Sequence, residues 1–283
     1  MTSQIKTVLL LGLLTGLLLF LGGAMGGRVG LMLAFGFAMV MNVGSYWYSD
    51  TIVLKMYKAR ELSPGDAPHI HSVVGEMASS AGIPKPRIFL IPQDSPNAFA
   101  TGRDPENAVV AVTQGIVNVL SPDELKGVLA HELGHIVNRD ILIQTVAAVL
   151  AGAIVFLATM LQWTTIFGIG SDDDDGGSPF VALAMAFLAP VAAGLIQMAI
   201  SRSREYMADT AGARLAGNPL FLAGALGKLD VASKQLPMQG SPATENMFIV
   251  SPFRGKGATS LFATHPPIED RIARLHAMAQ GND

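Results

Sequence analysis

The sequence predicts a mainly α membrane protein: four transmembrane helices joined to a cytoplasmic α+β unit with a small β-sheet. Three observations carry that prediction. Half of the residues are hydrophobic and only 14% are charged, and the mean hydropathy is +0.42, which is too apolar for an ordinary soluble chain. Four stretches are long and apolar enough to span a bilayer: Ile5–Ala24, Val29–Tyr48, Ile141–Leu161 and Phe180–Ile200. Between and after them lie polar regions whose patterns alternate between helix and strand periods. The chain therefore divides into a transmembrane hairpin (1–49), a polar region (50–140), a second hairpin (141–200) and a second polar region (201–283).

Each element has a local reason. The first stretch, with Lys6, a Leu-rich run and small residues, also fits a cleaved signal peptide. A second apolar stretch follows almost at once, which favours an uncleaved hairpin turning around Gly22–Arg28. Tyr46, Trp47 and Tyr48 close the second span as an interfacial aromatic belt. Pro68–Ala81 reads as a short amphipathic helix and Arg87–Ile91 as a strand. Ala98–Thr101 and Ala108–Thr113 read as a hairpin turning through residues 102–107. The third span starts directly after Asp140 with no breaker before it, so one long helix running into the bilayer is expected there. Pro190 predicts a kink in the fourth. Beyond it, Ser201–Ala216 and Leu220–Gln235 are helical, separated by Asn218-Pro219. Leu236–Thr264 is a long loop, and Pro267–Ala279 is a final helix.

Basic residues give the orientation. Lys6, Lys55, Lys58, Arg202 and Arg204 flank the spans on one side, whereas the opposite side holds only Arg28. By the positive-inside rule both termini and both polar regions are cytoplasmic. Asp172–Asp175 then lies outside, as a solvated acidic loop. The net charge of −3 gives no electrostatic case for nucleic acid. Without cysteines, any metal must be held by histidines and carboxylates.

The chemistry centres on Ser121–Asp140. Ser121 is an N-cap, Pro122 suits the first helical position, and Glu124 completes a capping box. On that helix His131-Glu132-Leu133-Gly134-His135 forms H-E-x-x-H. Its two histidines stand one turn apart on a single face and reach one ion, with Glu132 placed to take a proton from water at that ion. A catalytic zinc takes three protein ligands. Asn138 and Ile141 exclude the metzincin pattern, so the third ligand comes from Asp140, Glu205, Asp209, Glu245, His265, Glu269, Asp270 or His276. Glu205 leads, because Asp209 is one turn on and suits a carboxylate that receives a ligand imidazole's free N–H. A solvated helix face, with Arg202 and Arg204 pairing Glu205, accounts for the same residues.

His131–His135, followed after a membrane hairpin by Ser201-Arg202-Ser203-Arg204-Glu205-Tyr206-Met207-Ala208-Asp209, resembles the HtpX family of membrane zinc proteases, relatives of the CAAX prenyl endopeptidases. The similarity extends to the two N-terminal spans, to Pro96–Gly102 and to Thr264–Ile272. It implies a zincin-like protease domain with one zinc per chain held by His131, His135 and Glu205. It also implies Glu132 as catalytic base and Asp209 as the carboxylate behind a ligand. The implied activity is cleavage of misfolded or excess membrane proteins at the cytoplasmic face of a bacterial inner membrane, in stress response and quality control. Two further expectations follow. Asn97–Thr101, with Asn97 and Phe99 as substrate-binding residues, would form an edge strand on which an extended substrate adds. His265 would donate to the oxyanion. Other classes consistent with the sequence are a prenyl-protein processing endopeptidase and a non-catalytic zinc-binding scaffold. His69, His71 and His276 receive no role.

Overall fold

The computed structural model describes residues 3–150, 202–236, 238, 242–250 and 266–281. The fourth predicted span, most of the third, Asp172–Asp175 and His265 lie outside the described residues. The first helix, α1 (Ser3–Met56), folds back on itself at Gly27, whose φ of +54° is left-handed and open to glycine without strain. A straight helix would hold Thr15 and Asn42 about 40 Å apart. Instead Asn42 Nδ2 donates to Thr15 Oγ1 at 2.9 Å. Among the described residues, Gly27–Met56 is the helix long and apolar enough to cross a membrane. Its Met32, Leu33, Phe35, Phe37 and Val40 are exposed, as lipid-facing residues would be.

A four-stranded sheet follows, in the order β1-β2-β4-β3. Its strands are β1 (Arg60–Glu61), β2 (Arg87–Ile91), β3 (Ala98–Thr101) and β4 (Val109–Thr113). β3 and β4 make the expected antiparallel hairpin, and β2 runs parallel to β4. The two-residue β1 had no sequence signal. Every residue of β3 and β4 is buried, because both sheet faces are covered. Ile88, Leu90, Ala100, Val110 and Val112 pack towards α2 (Pro68–Ser80) and α4 (Pro122–Val137) in the main core. Phe89, Phe99, Val109 and Ala111 pack on the other face with Val53 and Tyr57 from the end of α1. A short α3 (Gln114–Val119) joins β4 to α4.

The capping box on α4 is present: Glu124 N–H bonds the Ser121 hydroxyl, and Glu124 Oε2 accepts from Ser121 N–H at 2.8 Å. The expected continuation of α4 into the membrane does not occur. α4 ends at Val137, Arg139 takes a φ of +55°, and α5 (Ile141–Leu150) leaves at 90°. The turn returns Asp140 to the helix it has just left, so a side-chain bond to His135 replaces the missing helical bonds. The remaining helices are α6 (Arg202–Ala216), α7 (Pro219–Gln235) and α8 (Ile268–Ala279). α4 lies between β3 on one side and α6 and α7 on the other, so the H-E-x-x-H helix is the central beam of the domain.

Candidate metal centre

Two glycines let α6 reach the histidines. A Cβ at Gly134 would stand 2.8 Å from the Ala208 carbonyl oxygen, and one at Gly212 would stand 2.8 Å from the His131 backbone. The backbones of α4 and α6 therefore cross where only hydrogen fits. Glu205, Asp209 and Gly212 follow at helical spacing on the face of α6 turned to α4. The carboxylates of Glu132, Glu205 and Asp209 are all buried.

The ligand atoms of His131, His135 and Glu205 all lie within 4.8 Å of one another. The two Nε2 atoms are 3.2 Å apart, and Glu205 oxygens lie 3.7 Å from His131 Nε2 and 3.5 Å from His135 Nε2. Two ligands of a tetrahedral zinc stand ~3.3 Å apart at ordinary bond lengths, so the spacing fits that ion. The outer nitrogens agree. His131 Nδ1 lies 2.9 Å from Asp209 Oδ1, and His135 Nδ1 lies 3.1 Å from Asp140 Oδ1. These distances let each carboxylate accept an Nδ1–H, and an imidazole held in that tautomer turns its Nε2 lone pair towards the shared spot.

Asp140, a candidate ligand from the sequence, thus sits behind His135 and not beside Glu205. Glu269, Asp270 and His276 are exposed on α8, away from the cluster. Arg271, to which the sequence reading gave no role, is fully buried. It donates to Asp209 through Nε at 2.9 Å and Nη2 at 2.7 Å, to the Ile249 carbonyl through Nη1 at 2.9 Å, and stands 3.6 Å from Glu205. A signal was present. Ile268, Arg271, Ile272 and Leu275 make one stripe at helical spacing, and an arginine on an apolar stripe calls for a buried partner.

The charges are strongly coupled. Burial pushes Glu132 up to about 8, aided by Glu205 and opposed by His135, the Ala100 amide and Arg271. Neither Glu132 oxygen has a hydrogen bond of ordinary geometry among the described residues, with the Ala100 amide turned towards the carboxyl. Burial also lowers His131, against the bond from Asp209. His135 moves the other way. Its burial is overridden by the Asp140 charge and hydrogen bond, with help from Glu205 and Glu132, which raise it to about 10. Burial works against the Asp209 charge, but Arg271 and His131 outweigh it and hold the carboxyl below its ordinary value.

The side chains of Asn97 and Phe99 point inward. Asn97 Nδ2 donates to the Val250 carbonyl at 2.9 Å, and Phe99 stacks edge-on against Phe248 at 5.4 Å and near Tyr57. Both fasten the segment 247–250 beside β3, where Ile249 N–H also bonds the Ala98 carbonyl.

Comparison with known proteins agrees with this geometry. Residues 64–279 match the profile of peptidase family M48. A "Protease HtpX homolog" of Syntrophobacter fumaroxidans is 56% identical over 98% of this chain and 100% of its own. Proteins of the same description from Persephonella marina and Pyrococcus furiosus are 56% and 53% identical, over 98% and 97% of this chain and 97% and 96% of theirs. Among solved structures, S. mikatae Ste24p superposes with a TM-score of 0.52 at 21% identity, covering 96% of this chain and 65% of that one, which is a likeness of fold.

Proposed function

The chain belongs to peptidase family M48, in its HtpX branch, and is a metallopeptidase; on that premise we propose a zinc endopeptidase acting on misfolded or excess membrane proteins. Its place would be the cytoplasmic face of a bacterial inner membrane, with four spans and both termini inside. The observation that carries the reading is the convergence of His131, His135 and Glu205 at tetrahedral spacing with the buried Glu132 beside them. Cleavage as such is common to the family. The membrane substrates and the orientation rest on the basic residues flanking the spans and on the exposed apolar face of α1.

His131, His135 and Glu205 would hold the ion, and Asp209 and Asp140 would hold the imidazoles. Zinc, when bound, supplies Lewis acidity toward water and the scissile carbonyl. Glu132 takes the proton from the attacking water and returns it to the leaving amine. His265, outside the described residues, is proposed as a donor to the developing oxyanion.

The substrate-strand reading takes a narrower form. Thr113 N–H bonds the Asn97 carbonyl, so with the β3–β4 register the outward backbone groups of β3 are those of Ala98 and Ala100. Ala98 is engaged by Ile249, whereas the Ala100 amide turns towards Glu132. A substrate strand would pair at Ala100. Asn97 and Phe99 would serve substrate by holding this edge in place.

The test is incubation of detergent-solubilised protein with a peptide substrate, with zinc and with a chelator. Cleavage should follow added zinc and stop with chelator. Chelator-resistant cleavage would overturn the metal reading.

A further inference from the structure

A cavity of about 280 Å³ lies beside the Arg139 turn, between the α1 hairpin and the protease domain. Its apolar wall includes Val8, Leu11, Ile141 and Leu142, and its mouth carries Tyr46, Arg103, Asp104 and Arg139. Three elements meet there: the start and the end of the α1 hairpin, the β3–β4 connection, and the break between α4 and α5. By the orientation proposed above, the two α1 segments and the α4–α5 break stand at cytoplasmic ends of spans, and the β3–β4 connection joins them in lining the cavity. Trp47 belongs to the same aromatic belt and holds the Arg103 guanidinium 4.7 Å above its ring.

The charges at this mouth are only partly matched. Asp104 Oδ1 is committed to Asn107, accepting from its N–H at 2.8 Å and its Nδ2 at 2.6 Å. Asp104 Oδ2 stands 3.3 Å from Arg103 Nε, which leaves the two terminal nitrogens of that guanidinium. Arg139 is exposed, and its side chain has no hydrogen bond or ion pair among the described residues. Two guanidinium groups therefore share one opening above an apolar wall, with one carboxylate already spoken for by the turn it caps. Guanidinium forks match phosphate oxygens, and basic pockets beside spans on the cytoplasmic side take anionic lipid headgroups.

We propose that this cavity is a binding site for an anionic glycerophospholipid of the inner leaflet, its phosphate on Arg103 and Arg139 and its acyl chain along Val8, Leu11 and Leu142. The proposal rests on the reading that α1 lies in the membrane. It ties the bilayer to the metal centre through one turn. Arg139 is the left-handed residue next to Asp140, and Asp140 holds His135. A headgroup on Arg139 would fix the turn that aims this carboxylate.

The experiment uses the full chain, purified in a neutral detergent, stripped of lipid and titrated with phosphatidylglycerol, with phosphatidylcholine, or with glycerol phosphate. Bound lipid is read by native mass spectrometry and the melting temperature is read alongside. Phosphatidylglycerol should bind and raise the melting temperature, and phosphatidylcholine should bind far less. Arg103→Gln and Arg139→Gln should each weaken phosphatidylglycerol binding about fivefold, and roughly 25-fold together, while Arg103→Lys with Arg139→Lys keeps most of it. Equal binding of the two lipids, or unchanged binding by the single Gln variants, would overturn the site. Glycerol phosphate binding as tightly as the lipid would reassign it to a soluble phosphate. A chain that stays dispersed without detergent would instead overturn the membrane reading of α1.

Discussion

The two histidines of one motif stand in different surroundings. His135 is supported from nearby: Asp140, five residues on, folds back across the break after α4. His131 is supported from afar, by Asp209 on α6, which is itself gripped by Arg271 on α8, 62 residues further along. The near support raises His135 despite its burial, whereas burial lowers His131, with the Arg271 charge acting the same way against the bond from Asp209. One half of the centre is thus a local turn. The other half is a tertiary assembly that exists only when α4, α6 and α8 are packed.

That difference predicts unequal damage. Arg271→Ala should be the most severe change to the fold. It leaves Asp209 and Glu205 as buried negative charges with their cation gone, which costs about 3–5 kcal/mol when one partner of a buried pair is removed. Thermal or denaturant unfolding in detergent measures it. A loss below about 1 kcal/mol would mean that the assembly around His131 does not depend on Arg271.

Asp209→Ala and Asp140→Ala sharpen the comparison. Both should weaken zinc binding ~10–100-fold, since each removes the acceptor that fixes one imidazole. Only Asp209→Ala strands Arg271 without its bidentate partner, so it should also melt lower than Asp140→Ala. Zinc titration and melting on the pair check both halves. Equal melting temperatures would show that the near and far supports are energetically alike.

What was legible in the sequence follows the same division. The α4 helix was readable because caps, Pro122 and the H-E-x-x-H spacing all lie within one segment. Glu205 and Asp209 fitted a solvated helix face equally well, since nothing local records that Gly134 and Gly212 let α6 touch α4. Their role came from resemblance. Asp140 was legible as a carboxylate near the site, but its role depended on a left-handed Arg139 that periodicity does not report. Arg271 was readable only as an oddity on an apolar stripe. The sheet was recovered in its longer strands, while β1 is too short for a period-2 signal.

The smallest predicted effect concerns the start of α4. Lys228 and the Ser121 backbone and hydroxyl hold Glu124 below its ordinary value of 4.5 against the cost of its partial burial. A lowered carboxyl contributes stability that is present above that ordinary value and is lost as pH falls through the folded value. Glu124→Gln keeps a residue that can complete the capping box and loses only the charge towards Lys228 and the helix N-terminus, so it should cost about 0.3–1 kcal/mol at neutral pH, and the gap from the parent should close on acidification below 4.5. Melting curves across that range check it; a gap that widens in acid would contradict the capping account.

The central claim is that Glu132 is the base in a zinc site made by His131, His135 and Glu205, and Glu132→Gln tests it most directly. Metal content and peptide cleavage are measured on the same zinc-loaded preparation. One zinc per chain with cleavage slowed by ~10²–10⁴-fold or more is the predicted result, because all three ligands remain and the proton acceptor is gone. Stoichiometric zinc with undiminished cleavage would contradict it.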